Sequence, residues 1–163
     1  MNYAFIDGQN LYINNQQDQW SIDLYKFRTY LREKYKVNKA YYFLGVASDE
    51  NQGLYELIQD AGFILVFRKH TSNMTGKKKG NVDTDIVYSI FSKLIDDKNL
   101  TGIVLVSGDG DYFKTVKYLV EHNKFVKLLA PNKHSISSLY RVYTPKYVAF
   151  LDENDVRKKI ELT

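Results

Sequence analysis

The chain reads as an α/β protein built on a mostly parallel sheet. The run Thr101-Gly102-Ile103-Val104-Leu105-Val106 is uncharged and β-branched, the pattern of a strand buried on both faces. A helical period follows almost at once, with Phe113, Val116, Leu119 and Val120 on one stripe. Apolar runs and amphipathic stretches alternate along the rest of the sequence, as in β-α-β units whose crossovers place helices on both faces of a sheet. At 163 residues the chain suits one domain with a substantial core.

Taken in order, Tyr3–Ile6 is a short apolar strand that ends in Asp7-Gly8-Gln9-Asn10. Residues 11–20 are polar and turn-like, apart from Leu11, Tyr12 and Ile13 at the start of a short helix. Ser21 reads as the N-cap of a helix through about Tyr35, with Leu24, Phe27 and Leu31 on its inward stripe. Lys39–Val46 is a strand, Asp49–Asp60 a helix stopped by Gly62, and Phe63–Phe67 another strand. A polar, basic, glycine-flanked loop runs from Arg68 to Gly80, and Val82–Ile95 is strongly helical. Phe125–Ala130 is a strand ended by Pro131. Ser135–Tyr140 reads as one or two helical turns, Tyr147–Leu151 as a last short strand and Glu153–Ile160 as a terminal helix. No repeat or linker interrupts the chain, so residues 1–163 are expected to form one domain, with 131–163 as a C-terminal extension packed on it.

Composition narrows the chemistry. There are no cysteines and three scattered histidines, which excludes disulfides and thiolate metal sites and argues against an imidazole-rich zinc site. Any metal would be held by oxygen ligands, favouring magnesium, manganese or calcium. The formal net charge of +4 permits a polyanionic partner. With a strand at the very start and no apolar run long enough to span a bilayer, a cytoplasmic location without membrane attachment is expected. Several of the 14 tyrosines are expected at the surface.

The candidate site is acidic. Asp7 ends the first strand, and Asp109 and Asp111 lie in the Ser107-Gly108-Asp109-Gly110-Asp111 turn after the buried one. In open α/β sheets ligands bind at the carboxyl ends of such strands. At about 100° per residue, Asp83 falls on the sheet-facing stripe of its helix, whereas Asp85 projects roughly opposite, beside Ser89. Each acid has an ordinary reading alone: Asp83 as a cap of its own helix, Asp109-Gly110-Asp111 as an Asx-turn. Together, carboxylates crowded at one sheet edge repel strongly, and a divalent cation relieves that. The metal set is thus Asp7, Asp83, Asp109 and Asp111, with Asp85 as a further candidate. A calcium EF-hand starting at Asp109 is excluded, because its sixth and twelfth positions are Lys114 and Val120 rather than glycine and glutamate.

Arg68, Lys69, Lys77, Lys78 and Lys79 lie between a strand end and Asp83, where they would hang over the acids. A triple lysine alone is usually solvated surface. Beside an acidic metal site it suits a phosphate backbone, to which Lys114 adds a further charge. Tyr12 and Tyr112 are candidates for stacking on unpaired bases.

Three motifs carry a resemblance: Phe5-Ile6-Asp7-Gly8-Gln9-Asn10, Lys79-Gly80-Asn81-Val82-Asp83, and Leu105-Val106-Ser107-Gly108-Asp109-Gly110-Asp111-Tyr112. In order and spacing, from about Asn2 to Ala130, the chain resembles NYN-domain proteins of the LabA-like group within the PIN-like nuclease superfamily. The resemblance implies a PIN-like three-layer fold with strand order 3-2-1-4-5 and helices on both faces. It implies Mg2+ or Mn2+ on the acids and cleavage of RNA, usually single-stranded. Carried onto this sequence, Asp7, Asp83, Asp109 and Asp111 form the catalytic acidic set, with Asn10 orienting Asp7 or a water. Where family members often carry a further acid on the helix from Val82, this chain has Ser89, implying fewer ligands.

The expected activity is a metal-dependent endoribonuclease leaving 5′-phosphate and 3′-hydroxyl ends, because no histidine pair is placed to use the ribose 2′-hydroxyl. Two other readings stay open: a non-catalytic RNA-binding module of the same fold, and a HAD-like phosphatase. The latter's first motif would need a second acid where Gln9 stands. A homodimer is a candidate assembly.

Overall fold

The computed structural model of the protein describes residues 1–68 and 82–163, apart from the side chains of Ile13 and Asn15. Lys69, Lys77, Lys78 and Lys79, assigned above to phosphate binding, lie outside the described residues. The strands are β1 (Asn2–Asp7), β2 (Val37–Leu44), β3 (Ile64–Phe67), β4 (Gly102–Val106), β5 (Phe125–Ala130) and β6 (Val148–Phe150). The α-helices are α1 (Gly8–Asp18), α2 (Leu24–Tyr35), α3 (Gln52–Asp60), α4 (Val82–Asp96), α5 (Phe113–Glu121) and α6 (Asn154–Ile160).

All strand pairs are parallel, in the order β3-β2-β1-β4-β5-β6. This is the α/β fold expected, with one strand more than the order 3-2-1-4-5. The added strand comes from the segment after Pro131: Val148, Ala149 and Phe150 pair with Leu128, Leu129 and Ala130. It covers an edge of β5 that would otherwise offer unpaired backbone groups, and it buries Val148 and Phe150.

Side chains alternate across the sheet, as strand geometry requires. Tyr3 and Phe5 of β1 point to the layer that holds Ile86 and Ile90 of α4 and Val116 and Leu119 of α5. Ala4 and Ile6 point to the other layer, with Leu11 of α1, Phe27 and Leu31 of α2 and Ile58 of α3. Full burial of each such large side chain contributes about 1.5–3 kcal/mol. The uncharged run read as a buried strand is β4, whose residues are all buried.

Two helix starts differ from expectation. The polar segment after Asp7 forms α1, a full 11-residue helix rather than a short helix beginning at Leu11 amid turns. Few of its side chains are apolar, so period gives little sign of it. What stabilises it is local: the Asp7 side chain caps its first turn, Leu11 packs into the core, and buried Asn14 donates to the Asn10 carbonyl at 2.8 Å. Helix α2 begins at Leu24, capped by Asp23 rather than by Ser21; the Asp23 carboxylate accepts from the Lys26 N–H at 3.1 Å. Ile22 is held just outside it by an antiparallel bridge to Glu161.

Strand order reverses at β1: β2 lies on one side of it and β4 on the other. The crevice between the carboxyl ends of β1 and β4 is the switch point where open α/β sheets bind ligands. Among the described residues, no helix is long and apolar enough to cross a membrane.

Candidate metal centre at the strand ends

Asp7, Asp83 and Asp109 meet at this crevice. Each offers a carboxylate oxygen, and the three oxygens lie within 4.8 Å of one another. Asp7 is the last residue of β1 and is only 4% exposed. It is fixed by its capping role, since Oδ1 accepts the Asn10 N–H at 3.2 Å. Asp83 stands in the first turn of α4, which Val82, Ile86 and Ile90 press onto the sheet. Asp109 ends the short loop after β4, and its Oδ1 accepts the Asp111 N–H at 2.9 Å, starting a 3-10 turn over Gly110–Tyr112.

The contacts around the acids bring in Ser107 and Tyr140, which the sequence did not single out, and give Tyr112 a role other than the one expected. The Tyr112 hydroxyl lies 2.8 Å from Asp83 Oδ1 and 3.1 Å from Asp7 Oδ2. The Ser107 hydroxyl reaches Asp7 Oδ2 at 3.4 Å and accepts the Asp109 N–H at 3.1 Å. The Tyr140 hydroxyl donates to the Asp109 carbonyl, tying the segment after β5 to the turn. Tyr112 is fully buried, so it cannot stack on a base, contrary to the expectation from sequence. The signal was present: Tyr112, Val116 and Leu119 share one helical stripe, and the other two face the core. Tyr12, by contrast, is exposed.

The remaining candidates take distinct places. Asn10 holds Asp7 through its backbone, while its side-chain oxygen accepts the Gly108 N–H at 3.1 Å. That bond joins α1 to the turn bearing Asp109. Asp111 is exposed on the outer rim and is not one of the three clustered carboxylates. Asp85 is half-buried one position beyond Thr84 and also lies outside the cluster. Arg68 follows the end of β3 and is half-buried, and Lys114 is exposed on α5.

Electrostatics follow from the crowding. Burial raises the pKa of Asp7, opposed by its bonds from Asn10, Tyr112 and Ser107 and reinforced by Asp109. Burial likewise lifts Asp83 to about 6, opposed by the Tyr112 bond and reinforced by the Asp111, Asp109 and Asp7 carboxyls. The Tyr112 phenol is pushed far above its ordinary value by burial and by both acids, so it stays protonated. A phenol has one hydrogen. Both Tyr112 contacts are therefore hydrogen bonds only when one acid keeps its proton, the state that the raised values favour. Among the described residues no lysine, arginine or histidine pairs with any of the three clustered acids. An all-carboxylate donor set without a protein counter-charge fits a hard divalent cation.

Comparison with known proteins agrees with this architecture. The family model described as the NYN domain matches residues 3–151. The chain is 25% identical over 168 residues to the low amplitude and bright protein LabA of Synechococcus elongatus, covering 98% of this chain and 87% of that protein. A crystal structure of a protein of unknown function from Vibrio parahaemolyticus has the same fold, with a TM-score of 0.79 at 19% identity over 99% of this chain and 95% of the other. With the family model spanning the strands and turns that carry the three acids, the chain belongs to the NYN domain family, within the PIN-like nuclease superfamily.

Proposed function

We propose that the protein is a divalent-metal-dependent endoribonuclease that cuts single-stranded RNA to 5′-phosphate and 3′-hydroxyl ends. The observation that carries this reading is the convergence of Asp7, Asp83 and Asp109, from three separate elements, within 4.8 Å at the sheet's switch point. These residues would hold Mg2+ or Mn2+, with Asp111 on the rim and Asp85 as outer candidates. When bound, the cation supplies Lewis-acid polarisation of the phosphodiester and acidifies water near pH 7.

The chain's own residues do the positioning. Ser107 donates to Asp7, and the single Tyr112 hydrogen, set between Asp83 and Asp7, holds one of the two acids in place at the cluster. Asn10 locks the Gly108 backbone and with it the place of Asp109. Arg68 and Lys114 contribute positive charge for phosphates, together with Lys69, Lys77, Lys78 and Lys79. The decisive experiment incubates labelled single-stranded RNA with the protein in Mn2+, in EDTA, and with Asp109→Asn. Cleavage confined to the wild type in Mn2+ supports the reading; cleavage that survives both chelation and the substitution ends it.

A second reading, an RNA-binding module without turnover, is favoured by Ser89, which stands on α4 where the family resemblance implies a further acid. Binding in EDTA with no cleavage in any divalent metal would select it. The HAD-like phosphatase alternative has Gln9 where its first motif needs a second acid, and the NYN family match gives it no support.

A further inference from the structure

We propose that the groove between α1, α3 and the ends of β2 and β3 binds an unpaired nucleobase of the RNA beside the cleaved phosphate. This rests on the nuclease reading and names a subsite for it. The groove has a volume of about 880 Å3, within the range of built ligand sites, about 300–1,000 Å3. The three acids do not line it themselves, but their chain neighbours do: Gly8, which follows Asp7, and Val82, which precedes Asp83.

Its rim is apolar and open to water, with Tyr12, Val46, Leu54 and Leu57 all lining it and all exposed. A patch of this kind marks a contact surface. Tyr12 is the residue suited to a base. It is 58% exposed, yet its hydroxyl accepts from Gln16 Nε2 at 2.7 Å, one turn along α1. A ring held in place loses little freedom when a base stacks on it, and every base has a face to offer.

Arg68 argues for a nucleic acid over a protein partner. It also lines the groove, and its backbone N–H is bonded to the Leu44 and Gly45 carbonyls at 3.2 and 3.3 Å. Its buried Nη1 has no hydrogen-bond partner among the described residues. A half-buried guanidinium calls for an anion, and a phosphodiester next to a stacked base provides one.

The test is a cycle between protein and ligand, run on the full chain in EDTA. Binding of fluorescein-labelled octauridylate is compared with binding of a ribose-phosphate octamer lacking bases, for wild type, Tyr12→Ala and Tyr12→Phe. The wild type should prefer the RNA with bases by about 5- to 150-fold for each stacked base. That preference should fall by at least about 5-fold in Tyr12→Ala and by less in Tyr12→Phe, which keeps the stacking ring and loses only the Gln16 bond. A preference equal in wild type and Tyr12→Ala, with RNA cleavage in Mn2+ intact, overturns the groove assignment alone and leaves the rim to a protein partner. Failure of the wild type to bind or cut any RNA overturns the nuclease reading as well.

Discussion

The Tyr112 hydroxyl lies 2.8 Å from Asp83, and this bond joins the turn after β4 to the first turn of α4. The same oxygen is 3.1 Å from Asp7 at the end of β1. One buried phenol thus sets the spacing of two acids that come from distant parts of the chain.

Tyr112→Phe keeps the packing volume and removes only that donor. Two acids, one of them buried, then lose a partner, which should cost about 1–3 kcal/mol in metal-free protein. Urea unfolding in EDTA measures it. Saturating Mn2+ should shrink the loss, because the cation takes over the neutralising role. An equal loss with and without metal would separate Tyr112 from the centre.

The pH dependence has a definite sign. Asp83 titrates near 3.8 when unfolded and near 6 when folded, so the native protein holds the extra proton between these values. Stability therefore falls as pH rises through that window. Asp7, also raised, acts in the same direction. In EDTA, the difference in urea midpoint between wild type and Asp83→Asn should change steadily from pH 4 to pH 6, against the wild type. Protons and cation compete for the same oxygens, so Mn2+ affinity should increase across the same range. A pH-independent difference would show that Asp83 titrates normally.

Gly8 is a packing requirement. A Cβ there would lie 2.6 Å from both the Phe43 carbonyl oxygen and the Tyr42 ring. Backbone cannot yield cheaply, so Gly8→Ala should cost about 1–3 kcal/mol. It should also displace Asp7, the neighbouring residue. Thermal unfolding and Mn2+ titration together check both effects, and a variant with native stability would contradict the packing argument.

Asn132 supports the site from behind. Its buried side chain donates to Asp18 at 2.7 Å and Asn14 at 3.2 Å and accepts from Ser135. The segment it anchors reaches the acidic turn, where the Ser137 N–H donates to the Gly108 carbonyl at 2.9 Å. Asn132→Ala should therefore lose about 1–3 kcal/mol of stability and weaken Mn2+ binding. Destabilisation with unchanged metal affinity would confine Asn132 to a structural role.

The sequence by itself determined the fold class, the order of the elements and which acids sit at strand and helix ends. Those features are local. β4 is legible because its whole run is apolar, and α4 because Val82, Ile86 and Ile90 recur at helical spacing. Only the tertiary structure decided that β6 extends the sheet and that α1 is a full helix. β6 is three residues long and defined by its pairing with β5; α1 depends on a cap and a buried asparagine more than on an apolar face. It also decided which acids meet. Asp109 and Asp111 are two residues apart and alike on paper, yet the 3-10 turn leaves Asp109 in the cluster and Asp111 exposed at its rim. Tyr112 joins Asp7 across 105 residues of sequence, a relationship that no spacing encodes because folding alone brings the two together.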